Sequence, residues 1–209
     1  MKKIIITGLT LLSVISVGTS VMAAGNPNAG KTLYAVCVGC HGDKAAGNTA
    51  LNAPALAGQE EWYVVRQLNN FKAGIRGAHA QDTYGAQMRP MAMTLANDQA
   101  VNDVAAYISS LVPADSPATV KGDIAGGKAK FALCAGCHGP NGEGNQAVNA
   151  PRLTGQHDWY VVRQLQNFRA GIRGAHPQDS TGAQMRPMSQ ALASEQELIN
   201  VASYVNTLK

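Results

Sequence analysis

The sequence is poor in charged and in aromatic side chains. Of its 209 residues, 14% are Asp, Glu, Lys or Arg and 5% are Phe, Trp or Tyr, whereas charged residues make up about a quarter of a typical soluble domain. A small domain with few aromatics has little hydrophobic core of its own. The formal net charge of +4 does not indicate a nucleic-acid partner, because no basic stripe with interleaved aromatics accompanies it. The low charge favours a partner surface that is more apolar than ionic.

Long apolar runs are also lacking, except at the start of the chain. There, Lys2 and Lys3 precede an apolar run over residues 4–21, and small residues end it at Ala23. This pattern is typical of a cleaved secretory signal. An uncleaved membrane anchor is the alternative, since the run is about long enough to span a bilayer, but Thr, Ser and Gly dilute it. We therefore predict export to a bacterial periplasm.

Cysteine is scarce too, and its placement is informative. The four cysteines form two copies of one pattern, a Cys-x-x-Cys pair followed directly by histidine: Cys37, Cys40 and His41, then Cys134, Cys137 and His138. Cys-x-x-Cys-His is typical of covalent c-type haem attachment. The two thiols can reach the two vinyl groups along one edge of a porphyrin, and the adjacent histidine can supply a proximal iron ligand. The sequence therefore predicts two haem c groups.

Two other uses of a Cys-x-x-Cys pair predict different surroundings. A redox disulfide is expected in a thioredoxin-like strand and helix and needs no histidine. A tetrahedral zinc site needs all four thiols in one place, whereas the two pairs lie 97 positions apart, each in its own repeat. Haem attachment is the more economical interpretation of both motifs.

An internal repeat determines the domain organisation. A shift of 97 positions superimposes the two motifs, and 25 of the 30 residues in 62–91 are identical in 159–188 without a gap. Two tandem copies of one small domain explain this similarity. We predict a signal peptide over 1–24, a first domain over 25–112, a linker over 113–126 and a second domain over 127–209.

Each copy is predicted to be helical, so the fold class is all-α. Apolar residues at helical spacing indicate helices over 28–40 and 62–73 and a last helix that begins after Asn97, a residue typical of N-caps. The stretches 42–58 and 75–93 are predicted to be loops. The second copy repeats the plan, with Ser194 and Glu197 in the spacing of a capping box before its last helix.

A haem iron that only transfers electrons needs a second axial ligand, and methionine raises its reduction potential. The candidates lie in the 75–93 loop and its copy: Met88, Met91 and Met93, then Met185 and Met188. Met93 faces Gln190 across the repeat, so equal ligation of the two irons removes Met93. The residues alone do not choose between the two methionines of each Gln-Met-Arg-Pro-Met segment.

Histidine is the alternative axial ligand. His79 and His176 take equivalent places in Gly-Ala-His-x-Gln-Asp, and ligation by two histidines lowers the potential. A loop histidine that bonds its neighbours is the simpler interpretation of both. His157 has Glu60 as its counterpart and is predicted to be an ordinary surface residue.

Other polar residues are candidates for secondary roles. One of two recurring arginine pairs can hold haem propionates, the alternative being solvated loop charge: Arg76 with Arg173, or Arg89 with Arg186. Three differences between the copies can separate the two reduction potentials: Tyr84 against Thr181, Asp43 against Pro140, and Glu60-Glu61 against His157-Asp158.

Over essentially its whole mature length the chain resembles the c4-type dihaem cytochromes of the class I cytochrome c superfamily. The matching residues of the first copy surround the haem motif, the second helix, the methionine segment and the last helix: Gly30, Tyr34, Pro54, Leu56-Ala57-Gly58-Gln59, Trp62, Lys72-Ala73-Gly74, Met88-Arg89-Pro90-Met91 and Asp103-Val104-Ala105-Ala106-Tyr107. The second copy matches at Gly127, Phe131, Pro151, Leu153, Gly155-Gln156, Met185 and Val201-Ala202-Ser203-Tyr204.

The resemblance implies more than the spacing shows. Each domain is expected to be a small helical fold around a covalent haem, with the two domains facing each other about a pseudo-two-fold axis. Met88 and Met185 are the implied axial ligands, and the two prolines, Pro54 and Pro151, are expected to lie by the proximal histidines. Gly30 and Tyr34 are expected to pack the first helix across the last, near Tyr107.

The resemblance also implies a function and a location. Such proteins are periplasmic, often associate with the membrane, and pass electrons from a copper protein or membrane cytochrome toward a terminal oxidase. An electron carrier without catalytic residues is therefore the leading hypothesis. The competing class is a haem enzyme or its electron-transfer subunit, such as a dihaem peroxidase or a thiosulfate-oxidising cytochrome, which needs one labile or unusual sixth ligand.

Overall fold

The structure, a computed structural model, describes residues 24–208. The signal peptide predicted over 1–24 therefore lies, apart from Ala24, outside the described residues. Within 24–208 no helix has the length and apolar character needed to cross a membrane. The same part of the chain contains helices and two isolated β-bridges but no strand, which confirms the predicted all-α class.

The first domain contains five α-helices and a short 3-10 turn. They are α1 (Pro27–Leu33), the 3-10 turn (Tyr34–Val36), α2 (Val38–His41), α3 (Glu61–Lys72), α4 (Thr83–Met93) and α5 (Asp98–Ser110). The helices predicted over 62–73 and after Asn97 are confirmed as α3 and α5, whereas the helix predicted over 28–40 is divided into α1, the 3-10 turn and α2. Asn97 caps α5 as predicted, because its side-chain oxygen accepts from the Ala100 N–H at 2.9 Å.

The second domain repeats this order with one continuous helix in place of the first three segments. Its elements are α6 (Ile124–His138), a 3-10 turn (Gln146–Val148), α7 (Asp158–Arg169), α8 (Ser180–Ala183), α9 (Met185–Gln190) and α10 (Glu195–Thr207). The N-cap predicted for α10 is confirmed, since Ser194 Oγ accepts from the Glu197 N–H at 3.2 Å. Because α6 begins at Ile124, it includes the end of the predicted 113–126 linker.

The prediction of a loop over 75–93 was wrong for its second half, which forms α4. Gly85 and Pro90 both lower helix propensity, which is why the sequence favoured a loop. Asp82 nevertheless caps the helix, its carboxylate accepting from the Gly85 N–H at 3.0 Å, and α4 packs against α3. Capping and packing therefore outweigh propensity here, and the candidate ligand Met88 stands on a helix.

In each domain the first helix crosses the last at a glycine. A Cβ on Gly30 would lie 1.9 Å from the Asp103 carbonyl oxygen, and a Cβ on Gly127 would lie 2.0 Å from the Asn200 carbonyl oxygen. Beside the first crossing, the Tyr34 and Tyr107 rings lie 5.3 Å apart. The packing implied for Gly30, Tyr34 and Tyr107 is confirmed, and it holds the end of the first helix, where the haem motif begins.

The two domains meet through polar pairs that occur twice with the roles exchanged. Arg66 Nη1 donates to Asn149 Oδ1 at 2.8 Å, and its counterpart Arg163 donates to Asn52, the counterpart of Asn149. Both asparagines adopt the left-handed backbone, with φ of 57° and 60°, which Asn tolerates better than most residues. Each domain therefore supplies the arginine of one pair and the asparagine of the other. This is the arrangement expected of two domains related by a pseudo-two-fold axis, which the resemblance implied.

Candidate haem-binding sites

Both Cys-x-x-Cys-His motifs form helical turns that end at a glycine. His41 and His138 are the last residues of α2 and α6, and the next residues, Gly42 and Gly139, have φ of 79° and 83°. Glycine adopts this positive φ without the steric strain of a Cβ. The short turn thus brings two thiols, three positions apart, and the imidazole next to the second thiol within five residues of each domain.

The cysteine pairs are accessible from outside the protein. The first cysteine of each pair, Cys37 or Cys134, is half-buried, the second, Cys40 or Cys137, is exposed, and none of the four is joined in a disulfide. Burial, followed by the charge of the neighbouring cysteine, raises the pKa of Cys37 and of Cys134 to about 11. Among residues 24–208 no three His, Cys, Asp or Glu side chains form a metal-binding group, so the four thiols do not come together as a zinc site.

The two motif histidines are buried and oriented by the prolines that the resemblance placed beside them. His41 and His138 are 4% and 5% exposed. The Nδ1 of His41 lies 2.9 Å from the Pro54 carbonyl oxygen, and that of His138 lies 2.7 Å from the Pro151 carbonyl oxygen. A carbonyl accepts only from a protonated Nδ1, so each ring keeps Nε2 as an unprotonated nitrogen for a metal. Burial lowers the pKa of both rings, against the opposing effect of these hydrogen bonds.

The candidate methionines differ in burial. Met88 and Met185 are half-buried, and Met185 packs against the hydrophobic core of the second domain. Met91 and Met188, the second methionines of the two segments, are exposed, and Met93 is 63% exposed. Burial therefore favours the first methionine of each segment as the ligand that faces the domain interior.

The alternative histidine ligands are exposed in both domains. His79 accepts from the Gln81 N–H at 3.2 Å, and His176 accepts from the Gln178 N–H at the same distance. These are the local bonds expected of a loop histidine. The geometry gives no support to ligation by two histidines.

The prediction for His157 was wrong, because this side chain is buried between the domains. Its Nε2 lies 2.9 Å from the Ala46 carbonyl oxygen of the first domain, and its ring stacks on Trp159. His157 faces Glu60 across the repeat, and a polar residue at a position that differs between the copies gives no sign of burial in the sequence. The structure shows instead that positions unique to one copy can serve the contact between the copies.

Arg76 and Arg173 come together at the domain boundary instead of being solvated. Both are 8% exposed, and both donate to the Gln67 Oε1, at 2.7 and 3.1 Å. Arg173 also donates to the Tyr63 hydroxyl at 3.0 Å. Burial raises the pKa of Tyr63, but the charges of Arg173 and Arg76 outweigh burial and lower it. In residues 24–208 neither guanidinium has a carboxylate within ion-pair distance, so the hydrogen-bond partners of these two neighbouring buried charges are the Gln67, Gln164 and Tyr63 side chains.

These features fit a haem in each domain. The donor set is a pair of thiols and a neutral imidazole, and the buried positive charge calls for acidic groups such as porphyrin propionates. Among residues 24–208, the buried side-chain atoms without a hydrogen-bond partner include the Nε atoms of the two recurring arginine pairs, Arg76 with Arg173 and Arg89 with Arg186. Buried polar atoms are normally paired, so these four atoms are available for such an anion.

Sequence reasoning missed the residues that join the domains. The structure places Gln59, Asn52, Tyr63 and Gln67 of the first domain, and several residues of the second, in contacts across the boundary. The available signal in the sequence was that Arg66 recurs as Arg163 and Asn52 recurs as Asn149. Recurrence of two residues does not show whether they bond within one copy or between the two copies.

Comparison with known proteins places the chain in a family. The cytochrome c family matches residues 27–112 and again residues 124–209. Cytochrome c4 of Azotobacter vinelandii is 38% identical over 211 residues, covering 96% of this chain and 97% of the relative. A protein of Stutzerimonas stutzeri named as a thiosulfate dehydrogenase electron acceptor is 34% identical over 80% of this chain and 76% of its own length.

The fold agrees with a solved structure. The crystal structure of reduced cytochrome c4 from Pseudomonas stutzeri superimposes with a TM-score of 0.70 and 33% identity, covering 89% of this chain and all of that one. The family matches each of the two helical domains once, and each domain contains one Cys-x-x-Cys-His motif. The chain therefore belongs to the cytochrome c family, as a c4-type electron-transfer protein with two covalently bound haem c groups.

Proposed function

We propose that the protein is a periplasmic electron carrier in which each iron has one histidine and one methionine ligand: His41 with Met88, and His138 with Met185. The observation that carries this proposal is the same pair of side chains in both domains. Each contains a buried imidazole with Nδ1 bonded to a proline carbonyl and a half-buried methionine on the segment that follows α3 or α7. With a histidine and a methionine both holding the iron, no position would remain for a substrate.

The residues of the chain determine how that role is performed. When bound, each haem supplies a reversible one-electron Fe(III)/Fe(II) couple. The proline carbonyls hold the imidazoles in one tautomer and one orientation. A neutral thioether favours ferrous iron and raises the reduction potential. Arg76 and Arg173 would hold porphyrin carboxylates, and their position at the boundary would bring those carboxylates toward the partner domain.

The surface beside the cysteines suits a redox partner that docks through apolar contacts. Val36 and Val38 flank Cys37, and Leu133 precedes Cys134; all three are exposed. Exposed apolar side chains close to a redox centre favour docking with little steering by charge. The partners proposed on this basis and by resemblance are a copper protein or membrane cytochrome as donor and a terminal oxidase as acceptor, with peripheral membrane association.

A second candidate function is to accept electrons from a thiosulfate-oxidising enzyme. The similarity to the Stutzerimonas stutzeri protein of that name supports it, and it requires no change in the ligand set. Reduction of the purified oxidised protein by thiosulfate with and without such a dehydrogenase distinguishes a carrier from an enzyme. A carrier is reduced only when the dehydrogenase is present.

Replacing Met88 or Met185 with Ala tests the ligand set. Each variant is expected to lose half of the weak far-red band that ferric methionine-ligated haem shows, and to lower the potential of the haem in the altered domain only. The matched controls are Met91→Ala and Met188→Ala, which are expected to keep the full band. Absorption spectra and redox titrations of the four holoproteins measure this. An unchanged band in either ligand variant would contradict the assignment for that domain.

A further inference from the structure

The peptide that orients the proximal histidine of one domain is bonded to a side chain of the other domain. The Pro54 carbonyl accepts from His41, and this carbonyl belongs to the same peptide unit as the Ala55 N–H. That N–H donates to Gln156 Oε1 of the second domain at 3.1 Å. The Gln156 Nε2 donates back to the Ala55 carbonyl at 2.9 Å. One neutral side-chain amide thus fixes the residue that follows Pro54.

The same arrangement occurs in the opposite direction, with one chemical difference. The Pro151 carbonyl accepts from His138, and the N–H of the same peptide unit belongs to Arg152. Gln59, the counterpart of Gln156, donates to the Arg152 carbonyl at 3.2 Å. The Arg152 N–H, however, donates to the Glu60 carboxylate at 3.0 Å. A neutral amide oxygen therefore accepts from the proximal peptide of the first domain, and an ionised carboxylate accepts from that of the second.

The difference follows from one position of the repeat. The counterpart of Glu60 is His157, which bonds to the Ala46 carbonyl and not to the proximal peptide. Glu60 therefore adds a negative charge on the proximal side of the second domain that the first domain does not receive. Arg66 and the Arg152 guanidinium lie nearby as positive charges, but neither is within ion-pair distance of Glu60 in the described part of the chain.

A carboxylate and an amide polarise a peptide to different extents. Hydrogen bonds to ionised groups are stronger than neutral ones, and hydrogen bonds in series strengthen one another. An N–H bonded to a carboxylate makes the carbonyl of its own peptide a better acceptor. A more strongly bonded Nδ1–H makes the imidazole a stronger electron donor to a metal.

We propose that Gln59, Glu60 and Gln156 are positioning residues for the proximal ligand of the opposite domain, and that Glu60 lowers the reduction potential of the second-domain haem selectively. Both effects of the carboxylate, its charge and its polarisation of the Pro151–Arg152 peptide, favour the oxidised iron. The domain interface thereby makes two domains of the same fold electronically unequal. The inference rests on the proposed ligation by His138.

Glu60→Gln is the test, because glutamine keeps an oxygen that can accept from Arg152 and removes the charge. In the holoprotein the variant is expected to favour reduction of the second-domain haem by about threefold to tenfold, which is about 30–60 mV more positive. The first-domain potential is expected to stay unchanged. The matched control is Glu61→Gln, which removes the same charge at the exposed neighbouring position. Redox titration followed by NMR assigns each potential to its domain.

A second measurement separates hydrogen bonding from general charge. In the reduced, diamagnetic protein the His138 Nδ1–H proton resonance is expected to move upfield in Glu60→Gln, while that of His41 stays in place. Equal shifts of both potentials, or equal effects of Glu60→Gln and Glu61→Gln, would overturn the inference, as would an unmoved second-domain potential. If the unaltered protein lacks the spectrum of histidine-methionine ligation, the proposed function fails instead, and the spectrum shows this before any variant is compared.

Discussion

Gly127→Ala is expected to destabilise the second domain by about 3 kcal/mol, the upper end of the usual effect of overpacking. The new Cβ would lie 2.0 Å from the Asn200 carbonyl oxygen and 3.0 Å from the Tyr204 Cβ. The first of these atoms is backbone and has no rotamer by which to move away. Helices α6 and α10 would have to separate, which weakens the contact of the Phe131 and Tyr204 rings, now 5.3 Å apart.

Gly136→Ala is the matched control, because it lies in the same helix and its added Cβ meets no protein atom within 4 Å. Alanine has the higher helix propensity, so this change is expected to be neutral or to stabilise by up to about 1 kcal/mol. Urea unfolding of the holoproteins measures both variants. Gly30→Ala should repeat the effect of Gly127→Ala in the first domain. Equal stability of the Gly127 and Gly136 variants would show that the helices are free to move apart.

Asp158→Asn is expected to destabilise the second domain by about 3 kcal/mol, since it removes a charge to which several donors point. Asp158 is completely buried, with 0% exposure. Its carboxylate accepts from the N–H groups of Thr119, Val120 and Trp159 and from the Thr119 hydroxyl. An asparagine presents only one oxygen to these donors and turns an NH2 group toward the rest. The linker would then lose its attachment to the start of α7.

The Asp158 carboxylate should also make the stability of the protein depend on pH. Burial raises the pKa of Asp158, but the hydrogen bonds from Thr119 and Val120 outweigh burial and lower it below its ordinary value. A group with a lowered folded pKa stabilises the protein fully above its unfolded pKa of about 3.9 and loses this contribution as pH falls through the folded value. Acidification below about pH 4 should therefore destabilise the unaltered protein more than Asp158→Asn.

This prediction is checked by measuring the urea midpoints of the unaltered protein and of Asp158→Asn at neutral pH and in acid. Glu61→Gln provides the control, because Glu61 takes the position of Asp158 in the first domain and is exposed. It is expected to leave both midpoints nearly unchanged. A parallel loss of stability in acid for the unaltered protein and Asp158→Asn would rule out Asp158 as the source of the pH dependence.

The interface explains how a repeated sequence gives an asymmetric protein. Some contacts between the domains use residues present in both copies, such as Arg66 with Asn149 and Arg163 with Asn52. Other contacts differ between the copies: Glu60 and its counterpart His157 bond to different groups across the boundary. Asp158, the counterpart of Glu61, bonds to the linker at Thr119. Divergence at adjacent positions therefore gives the second domain an attached linker and a carboxylate beside its proximal peptide.

The chemistry of the cofactor could be read from the sequence because it is local. Two thiols and a histidine need only five consecutive residues to form the motif, and a helical turn brings them together wherever the motif occurs. The number of domains was equally accessible, since a gap-free repeat at a shift of 97 is a property of the sequence itself. Helices α3 and α5 followed from apolar spacing and from Asn97 as a cap.

Other features depended on tertiary structure because the interacting residues are far apart in the chain. The helix that carries Met88 exists despite Gly85 and Pro90, since Asp82 caps it and α3 supports it. His157 is buried only because Ala46, 111 positions away, lies against it. The sequence by itself determined two covalently bound haems in tandem helical domains. Only the tertiary structure decided which side chains of one domain reach the proximal ligand of the other, because that depends on how the two copies face each other.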